Sequence, residues 1–425
     1  MLQISKLKEH TFLVYGLGLS GLSVIRFFKK NNFKNFTIWD DNITNLLKSH
    51  RTRNLELTLN KVDYIVLSPG ISAFKNKILR KYKKKIITDI DLFFLSNYKS
   101  KSIVVTGTNG KSTTCKLIAH LLKKNKLKFS LGGNIGTPIL DIKKSNNSYV
   151  IIEASSYQLS HSKFINPDFA LFLNLTNDHL EWHGSMKNYL NSKLKIFNHQ
   201  TDKQFAIINK NFKKIFIKKN FLGKLILPNK KEYDKIKYKI NNDYLTSNIN
   251  EENMSFIYSF SKLLKIRQES FIEAMKTFKG LPHRFEIFLK KKEVTFINDS
   301  KATSFVATQS ALSSLKNIYW ILGGLPKKGD KISLSKYKAN IIKCYLIGKN
   351  INFFKKQIKG KLVFSITKNL KNSLIQISKD IELQKNNKKT VLLSPAAASF
   401  DQFINFEKRG NEFKRLCRKY ARKFI

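Results

Sequence analysis

The chain has 425 residues, 42% hydrophobic and 12% aromatic, so it is too long for one ordinary core and too apolar for a disordered chain. Its 79 Lys and Arg against 29 Asp and Glu give a formal charge of +50, but the excess is mostly lysine spread along the whole chain with much Asn, Ile and Phe. A/T-rich codons produce that bias together, so nucleic acid is not the expected ligand.

The cysteines, Cys115, Cys344 and Cys417, are odd in number and far apart, which fits neither a disulfide framework nor a C-x-x-C metal pair. No apolar run is long enough to cross a bilayer, and a soluble cytoplasmic protein without membrane attachment is expected. Short β-branched runs alternate with helix-length amphipathic segments, the pattern of α/β architecture with parallel sheets. The candidate strands in order are Phe12–Tyr15, Phe36–Trp39, Tyr64–Leu67, Ile103–Val105, Tyr149–Ile152, Ala170–Leu173, Val294–Ile297, Tyr319–Leu322, Tyr345–Ile347 and Val391–Leu393. Nearly all run into small or polar residues. Ligands of open α/β sheets sit beyond the carboxyl ends of strands, so the chemistry is expected there.

Three domains are predicted. Residues 1–95 form a Rossmann-like parallel sheet ending in a helical stretch near Asp89–Ser96. Residues 96–281 form a P-loop-type ATPase domain, and 282–425, after Gly280-Leu281-Pro282, a second Rossmann-like domain. The Lys- and Asn-rich stretch Asn229–Asn250 reads as an irregular surface region.

The first strand leads into G-L-G-L-S-G at 16–21, the setting of a diphosphate turn before a helix N-terminus, and Asp40 and Asp41 close the next strand. Taken alone, that turn fits an NAD-dependent oxidoreductase or a tight turn made for packing. The second glycine loop, V-V-T-G-T-N-G-K-S-T-T, occupies 104–114. The common phosphate loop G-x-x-x-x-G-K-[ST] needs glycine at 105, where Val105 stands, and Gly107 comes two residues late. A shorter loop still offers backbone N–H groups to an anion, with Lys111 in reach of terminal phosphates and the Ser112 hydroxyl able to join Mg2+. Glu153 ends the apolar run Y-V-I-I-E, where a carboxylate without a partner is costly, and a structural pair with lysine is the plain reading. His179 and His183 are four apart, but the zincin pattern needs Glu where Leu180 stands, so zinc is set aside and His183 is expected to be incidental.

T-G-T-N-G-K-S-T resembles the ATP loop of the Mur ligase family and of its relative folylpolyglutamate synthase. Further motifs follow in the family's order across nearly the whole chain. They are S-P-G at 68–70, G-G-N-I-G at 132–136, E-A-S-S-Y-Q-L at 153–159, N-x-T-x-D-H-L at 174–180, G-L-P-H-R-F-E at 280–286, N-D-S-K-A-T at 298–303 and S-P-A-A-A-S-F-D-Q-F at 394–403. The later motifs resemble the branch that adds D-glutamate. The resemblance implies an ATP-dependent, ADP-forming ligase of peptidoglycan synthesis: ATP phosphorylates the carboxylate of UDP-N-acetylmuramoyl-L-alanine, and the amine of D-glutamate attacks the acyl phosphate. It implies a monomer whose C-terminal domain closes on the central one. Another Mur-type amino-acid ligase is the nearest alternative, and the NAD oxidoreductase a more distant one.

The same resemblance implies roles for individual residues. Gly107, Thr108, Asn109, Gly110, Lys111, Ser112 and Thr113 would cradle ATP, with Asn253, Arg284 and Asp299 as further contacts. Ser112 and Glu153 would hold one Mg2+, and His179 with a CO2-derived carbamate on Lys193 a second; a solvated surface lysine is the alternative for Lys193. Gly16, Leu19, Ser20, Asp40, Asp41 and Gly70 would hold the uridine diphosphate, and Asn134, Ser155 and Gln158 the muramoyl-alanyl part. Lys301, Thr303, Lys327, Ser399 and Phe406 would bind D-glutamate, whose carboxylates need cations and N–H or hydroxyl donors. Two places depart from the family's pattern. Asp40-Asp41-Asn42 stands where relatives often carry Asp-Thr-Arg, and Gly323-Gly324-Leu325-Pro326-Lys327 replaces a more polar glycine-rich form.

Overall fold

The computed structural model describes residues 4–43, 50–96, 100–143, 146, 148–246, 250–327, 329–383 and 388–420. The strands are β1 (Phe12–Tyr15), β2 (Phe36–Trp39), β3 (Tyr64–Leu67), β4 (Ile86–Ile87), β5 (Lys101–Thr106), β6 (Phe129–Gly133), β7 (Tyr149–Glu153) and β8 (Phe169–Phe172). They continue as β9 (Phe205–Ile208), β10 (Lys224–Ile226), β11 (Glu286–Lys291), β12 (Val294–Asn298), β13 (Ile318–Gly323), β14 (Ile341–Ile347), β15 (Phe364–Lys368) and β16 (Lys389–Leu393). They build a 4-stranded sheet in the order β2-β1-β3-β4, a 6-stranded sheet β10-β9-β8-β5-β7-β6, and a 6-stranded sheet β11-β12-β16-β13-β14-β15. Every pairing is parallel except β11 with β12. Helices cover both faces of such sheets, so interior strands such as β1, β8 and β13 are buried along their whole length and read as unbroken apolar runs.

All the expected strands are present. Those not foreseen are β4, β6, β9, β10, β11 and β15, and all but β9 lie at sheet edges. An edge strand is covered less completely and needs no continuous apolar run; β11 reads E-I-F-L-K-K and β6 reads F-S-L-G-G. The stretch from Asn229 is corrected as well: it holds a helix, Lys230–Ile240, whose buried Tyr233, Ile236 and Ile240 follow helical spacing among the lysines.

The chain forms two compact units, Met1–Ile240 with Glu252–Phe278, and Asn241–Glu251 with Lys279–Ile425. The first unit contains the first two sheets and the second contains the third. Within the first unit the helix Asp89–Leu95 is buried at every one of its 7 positions. Ile90, Phe93 and Phe94 join the core of the 6-stranded sheet, while Leu92 and Leu95 join that of the 4-stranded sheet. All three cysteines are free and buried. No described helix is long and apolar enough to cross a membrane.

The turn after β1 shows how tightly glycine is required. A Cβ on Gly21 would stand 1.8 Å from the backbone oxygen of Gly16, so alanine cannot fit without opening the turn. Alanine normally favours a helix over glycine by about 1 kcal/mol, but a clash with rigid backbone costs about 1–3 kcal/mol and outweighs that gain. Gly21→Ala is therefore expected to lower the urea midpoint of the first unit, measured by fluorescence.

Candidate active site

Two helices of the first unit start on a glycine with no capping side chain: Leu19–Lys30 after Gly18 and Lys111–Lys124 after Gly110. Most other helix starts carry an Asn, Ser or Thr that accepts a backbone N–H, as at Asn54, Thr88, Ser155 and Ser304. Uncapped N–H groups combined with the helix dipole make an anion site. Both glycine turns have this form.

In the first turn, Gly16 has φ +97° and its carbonyl accepts from Ser68 Oγ at 2.8 Å, joining the turn to the S-P-G segment that contains Gly70. Asp40 accepts the Leu17 N–H at 2.6 Å and the Asn42 and Ile43 N–H groups at 2.9 Å. Asp41 accepts from Tyr15 Oη and Trp39 Nε1, both at 2.9 Å. Both acids thus shape the turn, and Leu19 beside it is 78% exposed.

The second turn is braced from several sides. Gly110 sits at φ +84°, and a Cβ there would lie 2.3 Å from Asn253 Oδ1. The Asn109 N–H donates to Asn174 Oδ1 at 2.9 Å; Asn174 donates to Glu252 at 3.0 Å, and Asn209 to the same carboxylate at 2.6 Å. Thr108 Oγ1 shares a 3.1 Å hydrogen bond with Tyr189 Oη, and Ser112 and Thr113 are buried at the helix start. Lys111 Nζ donates to the carbonyls of Gly107 at 2.9 Å and Thr108 at 2.8 Å. Lys193 Nζ reaches the same Gly107 carbonyl at 2.7 Å from the helix Met186–Leu194 and lies 4.5 Å from the centre of the Tyr189 ring. Lys193 is 1% exposed, which removes the surface alternative. Burial, and then the charge of Lys111, pull its ammonium well below the ordinary lysine range.

Glu153 closes β7 at 2% exposure. Its Oε1 accepts from Asn134 Nδ2 at 2.9 Å, while Oε2 is buried without a hydrogen-bond partner. Among the described residues no lysine pairs with it. Ser155 and Gln158 form a capping box on the next helix, Ser156–His161. His179 has φ +55°; its Nδ1 lies 2.6 Å from Tyr157 Oη and its Nε2 3.3 Å from Asp178 Oδ2. His183 is buried against Ser156 Oγ at 3.1 Å, and burial lowers it to about 4, the behaviour of a core histidine.

In the second unit the predicted residues again gather at carboxyl ends of parallel strands. Asp299 follows β12 and accepts from Ser394 Oγ at 2.7 Å and the Phe285 N–H at 3.1 Å, with the charge of Arg284 acting on it. Lys301 Nζ stands 3.8 Å from the centre of the Phe406 ring, a cation–π contact. Leu325 and Ala398 exchange backbone hydrogen bonds of 2.9 Å, which ties the loop leading to Lys327 to the loop containing Ser399. Arg409, 1% exposed, donates to Ser300 Oγ at 3.0 Å, Ser300 O at 2.8 Å and Ala397 O at 2.9 Å, fastening the loops after β12 and β16 to the last helix, Phe406–Tyr420. Thr303 lies on the segment between Lys301 and the helix Phe305–Ser314.

Two family models match the chain: the Mur ligase middle domain over residues 105–275 and the Mur ligase MurD-like N-terminal domain over 10–88. A UDP-N-acetylmuramoylalanine--D-glutamate ligase of Wolbachia sp. subsp. Brugia malayi is 34% identical, covering 100% of this chain and 99% of its own length. One of the same name from Rickettsia prowazekii is also 34% identical, with 97% and 99% covered. The chain belongs to the Mur ligase family. The solved MurF ligase of Thermotoga maritima in complex with ADP shares the fold of this Mur ligase at a TM-score of 0.56 and 16% identity, covering 98% of this chain and 99% of its own.

The residues present fit a divalent cation. Among the described residues no three His, Cys, Asp or Glu side chains converge to hold a metal by themselves. Mg2+ in a nucleotide site needs only one or two carboxylates or hydroxyls, with phosphate oxygens and water completing its shell. The orphaned Oε2 of Glu153 suits that role. Motif reading missed Glu252, Arg409 and Tyr157; only Tyr157 lies inside a quoted motif.

Burial pushes the Asp299 carboxyl up to about 7 from 3.8. The proton it holds when folded therefore adds stability that is fully present below pH 3.8 and lost as pH rises through about 7. Thermal unfolding of Asp299→Asn should gain on the parent chain between pH 5 and 8, by roughly 5 °C. A constant difference across that range would mean that Asp299 is ionised in the fold.

Proposed function

We propose that this chain is the ATP-dependent ligase that adds D-glutamate to UDP-N-acetylmuramoyl-L-alanine, acting in the cytoplasm as a monomer. Residues 1–95 bind the UDP substrate, 96–281 bind ATP, and 282–425 bind the incoming amino acid. The observation that carries this reading is a braced phosphate loop placed with a buried glutamate whose second oxygen has no protein partner. An oxidoreductase reading, supported by the first turn alone, leaves Lys111, Glu153 and Lys193 without work.

The chemical difficulty is repulsion, because a polyanionic nucleotide must approach a carboxylate. The N–H groups of residues 107–113 take the phosphates, and Lys111 turns from the loop carbonyls to the terminal phosphates, with Asn253 beside them; Arg284 and Asp299 are the second unit's candidates for nucleotide contact. Ser112 and Glu153 would hold one Mg2+, and His179 with carbamylated Lys193 a second; bound there, the ions neutralise charge on the transferring phosphoryl group. The γ-phosphoryl group passes from ATP to the alanyl carboxylate, leaving ADP. The D-glutamate amine then attacks the acyl carbon, loses a proton, and inorganic phosphate departs as the amide forms.

Gly16, Leu19, Ser20, Asp40, Asp41 and Gly70 hold the diphosphate end of the first substrate, and Asn134, Ser155 and Gln158 its muramoyl-alanyl end. Lys301 and Lys327 supply charge for the D-glutamate carboxylates, with Thr303, Ser399 and Phe406 around them. The lowered pKa of Lys193 favours the neutral amine, the form that takes up CO2.

Phosphate release from ATP, with UDP-N-acetylmuramoyl-L-alanine and a panel of amino acids, should require D-glutamate; release with another amino acid alone would reassign the ligase. Lys111→Ala should lower kcat by about 100-fold or more, as loss of a charge-stabilising donor does. With 13C-bicarbonate, a carbamate resonance is expected in the parent chain and not in Lys193→Ala. Identical spectra would remove the carbamate.

A further inference from the structure

Glu252 takes no part in the reaction derived above, and it stands half-buried at the start of the helix Glu251–Leu263. In a chain with 79 Lys and Arg its expected partner is a cation, yet among the described residues two carboxamides meet it instead. Asn174, after β8, donates Nδ2 to Oε2 at 3.0 Å, and Asn209, after β9, donates Nδ2 to Oε1 at 2.6 Å. Neither amide can turn round. Asn174 Oδ1 accepts the Asn109 N–H at 2.9 Å and Asn209 Oδ1 accepts the Asn211 N–H at 3.0 Å, so each NH2 group must face Glu252. Two donors pointing inward need an acceptor on both sides. A carboxylate offers one on each oxygen, whereas a glutamine would set its own NH2 against one of them. Asn174 also accepts the Thr108 N–H on its backbone carbonyl at 3.0 Å, so consecutive residues of the phosphate loop rest on it. The next residue of the helix, Asn253, accepts the Thr114 hydroxyl on Oδ1 at 3.4 Å, beside Gly110.

We infer that Glu252 is a positioning residue for the nucleotide: its carboxylate fixes the direction of the Asn174 amide and so the seat of the phosphate loop. This rests on the ATP site proposed above. What the position requires is hydrogen-bond polarity, not bulk, and polarity can be reversed across the pair. Glu252→Gln keeps the shape and breaks the pattern. Adding Asn209→Asp restores it, because the new glutamine can donate to the new aspartate and accept from Asn174. The other aspartate oxygen still takes the Asn211 N–H.

The test is calorimetric binding of ADP with Mg2+ to the parent, Glu252→Ala, Glu252→Gln and the double variant Glu252→Gln with Asn209→Asp, alongside KM for UDP-N-acetylmuramoyl-L-alanine. Both single variants should bind ADP about tenfold more weakly than the parent, and the double variant should return to within about threefold. The KM for the nucleotide sugar should stay within about twofold throughout. A parent chain that binds no ADP sinks the ATP-site reading and this role with it. A parent that binds ADP but never joins D-glutamate overturns the ligase reading, and the ADP Kd values still decide the role. With ADP bound by the parent, the role of Glu252 alone falls if the single variants keep the parental Kd or the double variant is no better than Glu252→Gln. It falls equally if all substrates lose affinity together or the variants fail to fold.

Discussion

Both cores of the first unit close on the same short helix. Because Ile90, Phe93 and Phe94 pack into one sheet's core and Leu92 and Leu95 into the other's, neither sheet has a complete interior without Asp89–Leu95. Polar bonds reinforce this: Asp91 accepts the N–H groups of Lys163 and Phe164 at 2.8 Å, and Thr88 shares a 2.8 Å bond with Ser162. The two glycine turns therefore stand within one compact unit.

Electrostatics organises the second turn. Two ammonium groups, from Lys111 and Lys193, converge on one carbonyl oxygen of Gly107, and their mutual repulsion adds to burial in destabilising the charge on Lys193. An anion arriving at the loop relieves that repulsion, and a neutral Lys193 relieves it in another way. The net positive chain favours anionic ligands at long range, but contacts of this kind decide where they dock.

Much of this was legible because parallel strands buried on both faces announce themselves as apolar runs, and their carboxyl ends announce the site. Edge strands such as β6 and β11 did not, since half-covered backbone tolerates glycine and lysine. The helix Lys230–Ile240 was hidden by its lysines although its buried residues keep helical spacing. The candidate site residues lay in compact motifs, whereas bracing partners such as Glu252 and Arg409 did not. Asn174 meets Glu252 across 78 positions, and Arg409 meets Ser300 across 109, and no local pattern encodes such pairings.

The buried cysteines have a practical consequence. Cys115 packs in the helix behind the phosphate loop, and burial pushes all three thiols far above the range in which thiolate forms at neutral pH. Maleimides and oxidants attack thiolates, so the folded chain is close to inert toward them. A single cysteine introduced on each unit could then carry a fluorophore pair, with no native thiol removed.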